Sequence, residues 1–186
     1  MPVPKELIFA KIMSNNTNTG QMYPLKARAI SDGVSTWLTS GGMLVGGNGT
    51  GTAGTGTANG ILNLIPEITS FSIGFTSNGL FSSEPYYLPV LLGLSQIQYP
   101  VAGASVGVGA GSWMGFVEIS DPSSLIGFIE VGMTKNGVSG FYKSEITAWA
   151  NSISSLFLTG SVVGGTITGT GSPASSTNKL TLLKVV

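Results

Sequence analysis

Glu118 and Asp121 stand closer together than any other two acids in the sequence. Paired carboxylates can divide the roles of acid and base when a cleft drives their pKa values apart. Asp121, however, directly precedes Pro122 at a point where a helix is expected to start. A carboxylate there caps free amides, and proline takes the first helical position because it has no N–H to lose. The chain contains no His and no Cys. Imidazole proton shuttles, His-based triads, thiol nucleophiles, thiolate or imidazole metal sites and disulfides are therefore excluded. What remains is carboxylate chemistry or a Ser or Thr activated by Lys, and neither is arranged in a recognisable constellation. The expectation is a non-enzymatic protein with no catalytic, cofactor-binding or metal-binding residues and no cofactor.

Glycine tracts invite comparison with phosphate-binding loops. No basic residue lies within Gly46 to Gly60 or Gly103 to Gly111, and no Lys follows either as a P-loop requires. The Gly-Val-Gly-Ala-Gly run at 107 to 111 lacks the flanking strand, helix and charged partner of a dinucleotide fingerprint. Both tracts read as structural. Nucleic-acid binding is not expected, because there is no basic stripe and the net charge is zero. Acids are not clustered in a loop, as a calcium site would need. Trp37, Trp113, Trp149, Tyr86 and Tyr87 could stack on ligands, but the helical spacing around Trp37 and Trp149 assigns them to a core or an interface.

The elements that would position these residues must be built from an unusual composition. Of 186 residues, 42% are apolar and only 9% are charged, and 8 basic residues balance 8 acidic ones. A solvated monomer ordinarily carries about 25% charged residues and a net charge away from zero, so this chain is expected to associate with copies of itself or other proteins. Lys5, Lys11, Lys26 and Arg28 lie near the start and Lys135, Lys143, Lys179 and Lys184 near the end, with an acidic centre between them. Such a pattern can set register between neighbouring copies. The N-terminus, with Pro2, Pro4 and Glu6, lacks the apolar run of a secretory signal, so synthesis and retention in the cytosol are expected. An uncharged stretch bounded by Pro85 and Val117 contains an acid-free, base-free core but carries prolines, glutamines and many glycines, and no membrane span is expected.

Two stretches repeat the same order of features. Pro4, Leu7 and Ile8 correspond to Pro122, Leu125 and Ile126, Ala29 and Val34 to Ala148 and Ile153, and Thr50-Gly51-Thr52 to Thr168-Gly169-Thr170. Each stretch reads as a short helix, an Asn-bearing turn and a second helix whose apolar stripe is Ile30, Val34, Trp37 and Leu38 or Ile146, Trp149, Ile153 and Phe157. Ser31, Ser35, Asn151 and Ser155 fall off these stripes. Gly41-Gly42 and Gly160 are expected to stop the helices in the left-handed conformation. Gly/Thr tracts follow and read as narrow ribbons or arms that need an outside neighbour for order, ending in apolar segments at Ile61 to Ile65 and Leu180 to Leu183. Between them, Phe71, Ile73 and Phe75 alternate as in a strand, and Ser83-Glu84-Pro85 opens a helix. The expected fold class is α+β, with short amphipathic helices, extended Gly/Thr-rich strands or arms and two similar halves. The segments are residues 1–66, 67–120 and 121–186 within one compact domain.

The run from Ala29 to Gly42 followed by Gly49-Thr50-Gly51-Thr52, and its counterpart from Ala148 to Ser154 with Gly169-Thr170-Gly171, resembles small virion structural proteins of tailed bacteriophages. That resemblance implies a non-enzymatic subunit of a neck, tail, baseplate or head decoration, located in the virion after synthesis in the host cytoplasm. Its partners would be copies of itself and other structural proteins. The alternative from the residues themselves is a stand-alone binding or adhesin module that presents aromatics on Gly/Thr loops.

Overall fold

A computed structural model describes residues 3–40, 43–76, 84–106, 111–179 and 183–186. The chain is α+β. Its elements run α1 (Lys5–Ser14), α2 (Met22–Ser40), β1 (Leu44–Asn63), α3 (Ile68–Thr76), α4 (Glu84–Ser95), β2 (Tyr99–Val106), β3 (Gly111–Glu118), α5 (Ser124–Lys135), α6 (Lys143–Leu158), β4 (Ser161–Lys179) and β5 (Lys184–Val185). Two helices followed by extended chain thus occur three times: α1, α2 and β1, then α3, α4 and the two strands β2 and β3, then α5, α6 and β4. The expected anchor at Leu180 to Leu183 lies outside the described residues except for Leu183, as does the Gly41-Gly42 helix stop.

The helices form because each carries apolar residues one turn apart. Ile8 and Ile12 of α1, Phe71 and Phe75 of α3, and Leu125 and Ile129 of α5 are all buried pairs at i and i+4. The α3 assignment corrects the strand expected at 71–75. Period two and spacing of four both fit a run this short, and packing decides between them. Phe71 and Phe75 stack on Tyr87 at centroid distances of 5.8 and 5.6 Å while Ile73, on the opposite side, is exposed. Ser31, expected off the stripe, is buried, with its hydroxyl donating to the Ala27 carbonyl at 2.7 Å. Asp121 accepts from the Ser124 amide at 3.2 Å, but Ser123 holds the cap position of α5 and Pro122 stands before the helix, not in its first position as expected.

The helices pair across the chain: α1 packs on α4, α3 on α6, and α5 on α2. Small residues allow these approaches. A β carbon at Gly93 would stand 2.7 Å from Ile12 Cα, and one at Gly33 would stand 2.8 Å from Ile129 Cγ1.

The sheet is antiparallel throughout and nearly closes into a barrel. Residues 44–51 of β1 pair with β3, β3 pairs with residues 161–167 of β4, and that part of β4 pairs with the second half of β1. The second half of β1 pairs with β2, β2 pairs with β5, and a bridge from Leu183 to Val45 returns to the start. Directions alternate round this ring. The first and second halves of β1 lie three places apart in it, and β1 stays paired with β4 from Asn48 to Asn63. A register shift between Thr52 and Ala53 marks the middle of β1.

This topology corrects the expectation that the Gly/Thr tracts need an outside neighbour. Gly46 to Gly60 is paired along its backbone with β2, β3 and β4 of the same chain. Glycine's lack of a side chain serves the interior, where Trp113 lies against Gly60, Gly115 and Gly165 and donates its indole N–H to the Asn59 carbonyl at 2.9 Å. Gly160 likewise is present for space and not for conformation. Its φ is not among the positive ones, and a β carbon there would stand 2.8 Å from Leu62 Cδ1.

The helical layer closes one side of the barrel. Trp37 and Tyr99 both meet Phe157 edge to face, at 5.4 and 5.1 Å between centroids.

Candidate functional site

The three second helices, α2, α4 and α6, bring one polar side chain each to a common point near their N-terminal ends. On α2, Lys26 lies one turn before the buried Ile30. On α4 it is Tyr86, beside the buried Tyr87. On α6 it is Glu145, buried and one turn before Trp149. Lys26 Nζ donates to Glu145 Oε1 at 2.7 Å and to the Tyr86 hydroxyl at 3.1 Å, and that hydroxyl donates in turn to Glu145 Oε1 at 2.5 Å.

Every group in this triangle has its partner inside it. The side chains keep only 21% exposure for Lys26 and 11% for Glu145. At that depth the attraction between the charges is little screened, and removing one partner leaves an uncompensated charge at a cost of about 3–5 kcal/mol. Burial pushes the Tyr86 phenol well above its usual value, and its hydrogen bond to Glu145 and that carboxylate's charge push the same way. It is a donor at neutral pH. Trp149 packs on the Tyr86 ring at 5.5 Å, and Tyr23 meets it edge-on at 5.8 Å with its own hydroxyl donating to the Tyr86 carbonyl at 3.1 Å.

Above the triangle a pocket of about 210 Å³ is lined by Asn18, Gly20, Met22, Tyr23, Lys26 and Tyr86. It offers a ligand little free chemistry. The Lys26 ammonium is neutralised by Glu145, and the Asn18 amide already donates to the Pro85 carbonyl at 2.6 Å.

A second ion pair joins Lys5 to Asp32 at 3.2 Å, with Asn136 Nδ2 donating to the same carboxylate at 2.9 Å. Burial alone would raise the Asp32 carboxyl, but the hydrogen bonds from Asn136 and Lys5, with the Lys5 charge, outweigh it and hold the group below its usual value. Basic flank thus meets acidic centre within one chain at this pair.

The residues singled out in the sequence are dispersed. Glu118 is exposed at the end of β3, and Asp121 is exposed and engaged with Ser123 and Ser124. Trp37, Trp113 and Trp149 are all buried, so none presents a stacking face. Of the Gly-Val-Gly-Ala-Gly run, 107 to 110 lie outside the described residues. Among the described residues, no three of His, Cys, Asp and Glu gather where a metal could bind, and no helix is long and apolar enough to cross a membrane. The triangle itself was not visible in the sequence, because its members are some sixty residues apart.

No protein-family model matches the chain, and neither a curated protein nor a solved structure matches it significantly.

Proposed function

We propose that the chain is a non-enzymatic structural subunit that works through protein–protein assembly, and that its setting is a bacteriophage virion, in the neck, tail, baseplate or a head decoration. The observation that carries the structural part is the Lys26–Tyr86–Glu145 triangle. It is the best-sheltered ionic cluster among the described residues, and its hydrogen bonds run between helices. A cluster that satisfies itself holds elements together, whereas a catalytic one leaves a group free to meet substrate.

Association is supported by the surface. Ile61 and Val163, directly paired on adjacent strands, and Phe116 on β3 are exposed, as are Tyr142, Val131 and Ile73. With 9% charged residues, little repulsion keeps copies apart. The virion setting draws on the resemblance of the Ala29 to Gly42 and Ala148 to Ser154 segments to phage structural proteins.

Sedimentation velocity across a concentration series, together with mass spectrometry of purified particles from the producing culture, tests the proposal. Self-association or recovery of the chain in particles at stoichiometric levels is the expected result. A strictly monomeric protein that is absent from particles and retained on glycan supports would instead establish a binding module.

A further inference from the structure

We infer that the chain is a trimer fused into one polypeptide: three copies of a unit of two helices and an extended strand segment, residues 5–63, 68–118 and 124–185, set about an approximate threefold axis that runs between Lys26, Tyr86 and Glu145. The inference concerns architecture and stands independently of the virion setting.

The helix contacts are cyclic. Numbering the units in chain order, the first helix of unit one packs on the second helix of unit two (α1 on α4), that of unit two on unit three (α3 on α6), and that of unit three on unit one (α5 on α2). Advancing every unit by one place maps this set of contacts onto itself.

The strands obey the same rule. The first half of each long strand pairs with the second half of the next: 44–51 with β3, 101–102 with β5, and 161–167 with the second half of β1. Here β2 and β3 take the places of the two halves in unit two, and β5 with Leu183 takes the place of the second half in unit three. The other edges of the ring are related in the same way, as 99–106 with 55–62 of β1, 111–116 with 161–167, and Leu183 with Val45. Six pairings reduce to two kinds, each used three times.

Residue numbers carry the relation down to single side chains. Positions 26, 86 and 145 are separated by 60 and 59 residues, and the same steps link the buried Ile30, Val90 and Trp149. They also link Gly33, Gly93 and Ser152. Each of these is the point where a second helix meets a first helix of another unit: Gly33 against Ile129, Gly93 against Ile12, and Ser152 against Gly74. In the third contact the glycine has moved to the facing helix, so the close approach survives a change of residue.

The axis explains the polar triangle. In a trimer of identical chains, position 26 would place three like side chains together, and three buried lysines or three buried glutamates would repel. Fusion lets the three positions diverge into a cation, an anion and a hydroxyl that accepts from the one and donates to the other.

Equivalence of the three positions is tested by rotating the triangle in the full chain, with the triple variant Lys26→Glu, Tyr86→Lys and Glu145→Tyr. It restores all three partners one unit further round. The thermal midpoint of the triple variant is expected within about 3 °C of the parent, while Lys26→Glu alone loses about 10 °C or fails to fold. A rotated variant as damaged as the single one overturns the inference. An experimentally determined structure gives a second readout that needs no variant: the three units must superpose, second helix on second helix, by rotations of about 120° about one common line. Rotations about different lines, or unmatched topologies, overturn it as well.

Discussion

The backbone of Gly132 in α5 lies so close to α2 that a β carbon on it would stand 2.4 Å from the carbonyl oxygen of Ala29. Gly127 is on the same helix, exposed, with open space around it. The two therefore separate packing from helix propensity. Gly132→Ala should destabilise the protein by about 2 kcal/mol or more through overpacking, whereas Gly127→Ala should stabilise it by about 0.5–1 kcal/mol. Urea unfolding of both variants checks the sign of each change.

Trp113 fills the inside of the sheet, only 3% exposed, and supplies the N–H that satisfies the Asn59 carbonyl. Trp113→Ala is expected to cost about 3–5 kcal/mol, since a large cavity opens where glycines cannot close in. Trp113→Phe keeps part of the volume but strands the carbonyl, and should cost less. Equilibrium unfolding followed by circular dichroism distinguishes the three proteins.

Gly164 has φ +63° and nothing within 4 Å of where its β carbon would lie. Asn59 pairs with Thr166 and Ile61 with Val163, so Gly164 and Gly165 together oppose Gly60 in a bulge. Gly164→Ala should cost about 1–2 kcal/mol from the left-handed backbone alone. Gly164→Asn should cost less, as asparagine tolerates that region. Thermal melts of the pair decide whether conformation or contact sets the requirement.

High pH should unfold the protein through its phenols. Burial raises Tyr23, Tyr86 and Tyr99 above the usual value of 10.0. A raised folded-state value means that the unfolded chain releases its protons first, so stability is full below pH 10 and falls progressively above it. Absorbance at the tyrosinate band should show these three ionising together with loss of helix signal. Ionisation of all tyrosines with the helix signal intact would contradict the burial argument.

The acid side follows from Asp32. Its folded-state value is lowered from 3.8, so its contribution is present above that value and is lost as pH drops through the depressed one. Asp32→Asn should abolish this part of the acid sensitivity and flatten the pH dependence of the urea midpoint below pH 4.

The helices α2 and α6 were legible because Ile30, Val34, Trp37 and Leu38, and Ile146, Trp149, Ile153 and Phe157, repeat at a helical period that nothing contradicts. Helix α3 was not, since Phe71, Ile73 and Phe75 satisfy two periods and only the aromatic cluster with Tyr87 chooses between them. The ring of strand pairings was hidden for a different reason. A backbone of Gly and Thr has few large side chains to set a register, and the partners of Gly46 to Gly60 lie far along the chain, on β2, β3 and β4. Lys26 and Glu145 occupied matching places in the two stretches that share a feature order. Matching places signify likeness, however, and likeness becomes contact only when the units surround an axis.

Closure of the sheet by the Leu183 bridge and β5 has a kinetic consequence. Leu44 pairs with Glu118, Leu62 with Val162, and Val45 with Leu183, so the ring joins residues that stand far apart in the sequence. Loops of that size must close before their contacts can repay the entropy, which places the protein among slow folders of high contact order. During synthesis the early helices emerge long before the partners they pack on. Until α5 and β4 have followed, the face of α2 that α5 covers and the edge of β1 that β4 covers are open to whatever holdase or neighbouring nascent chain reaches them first.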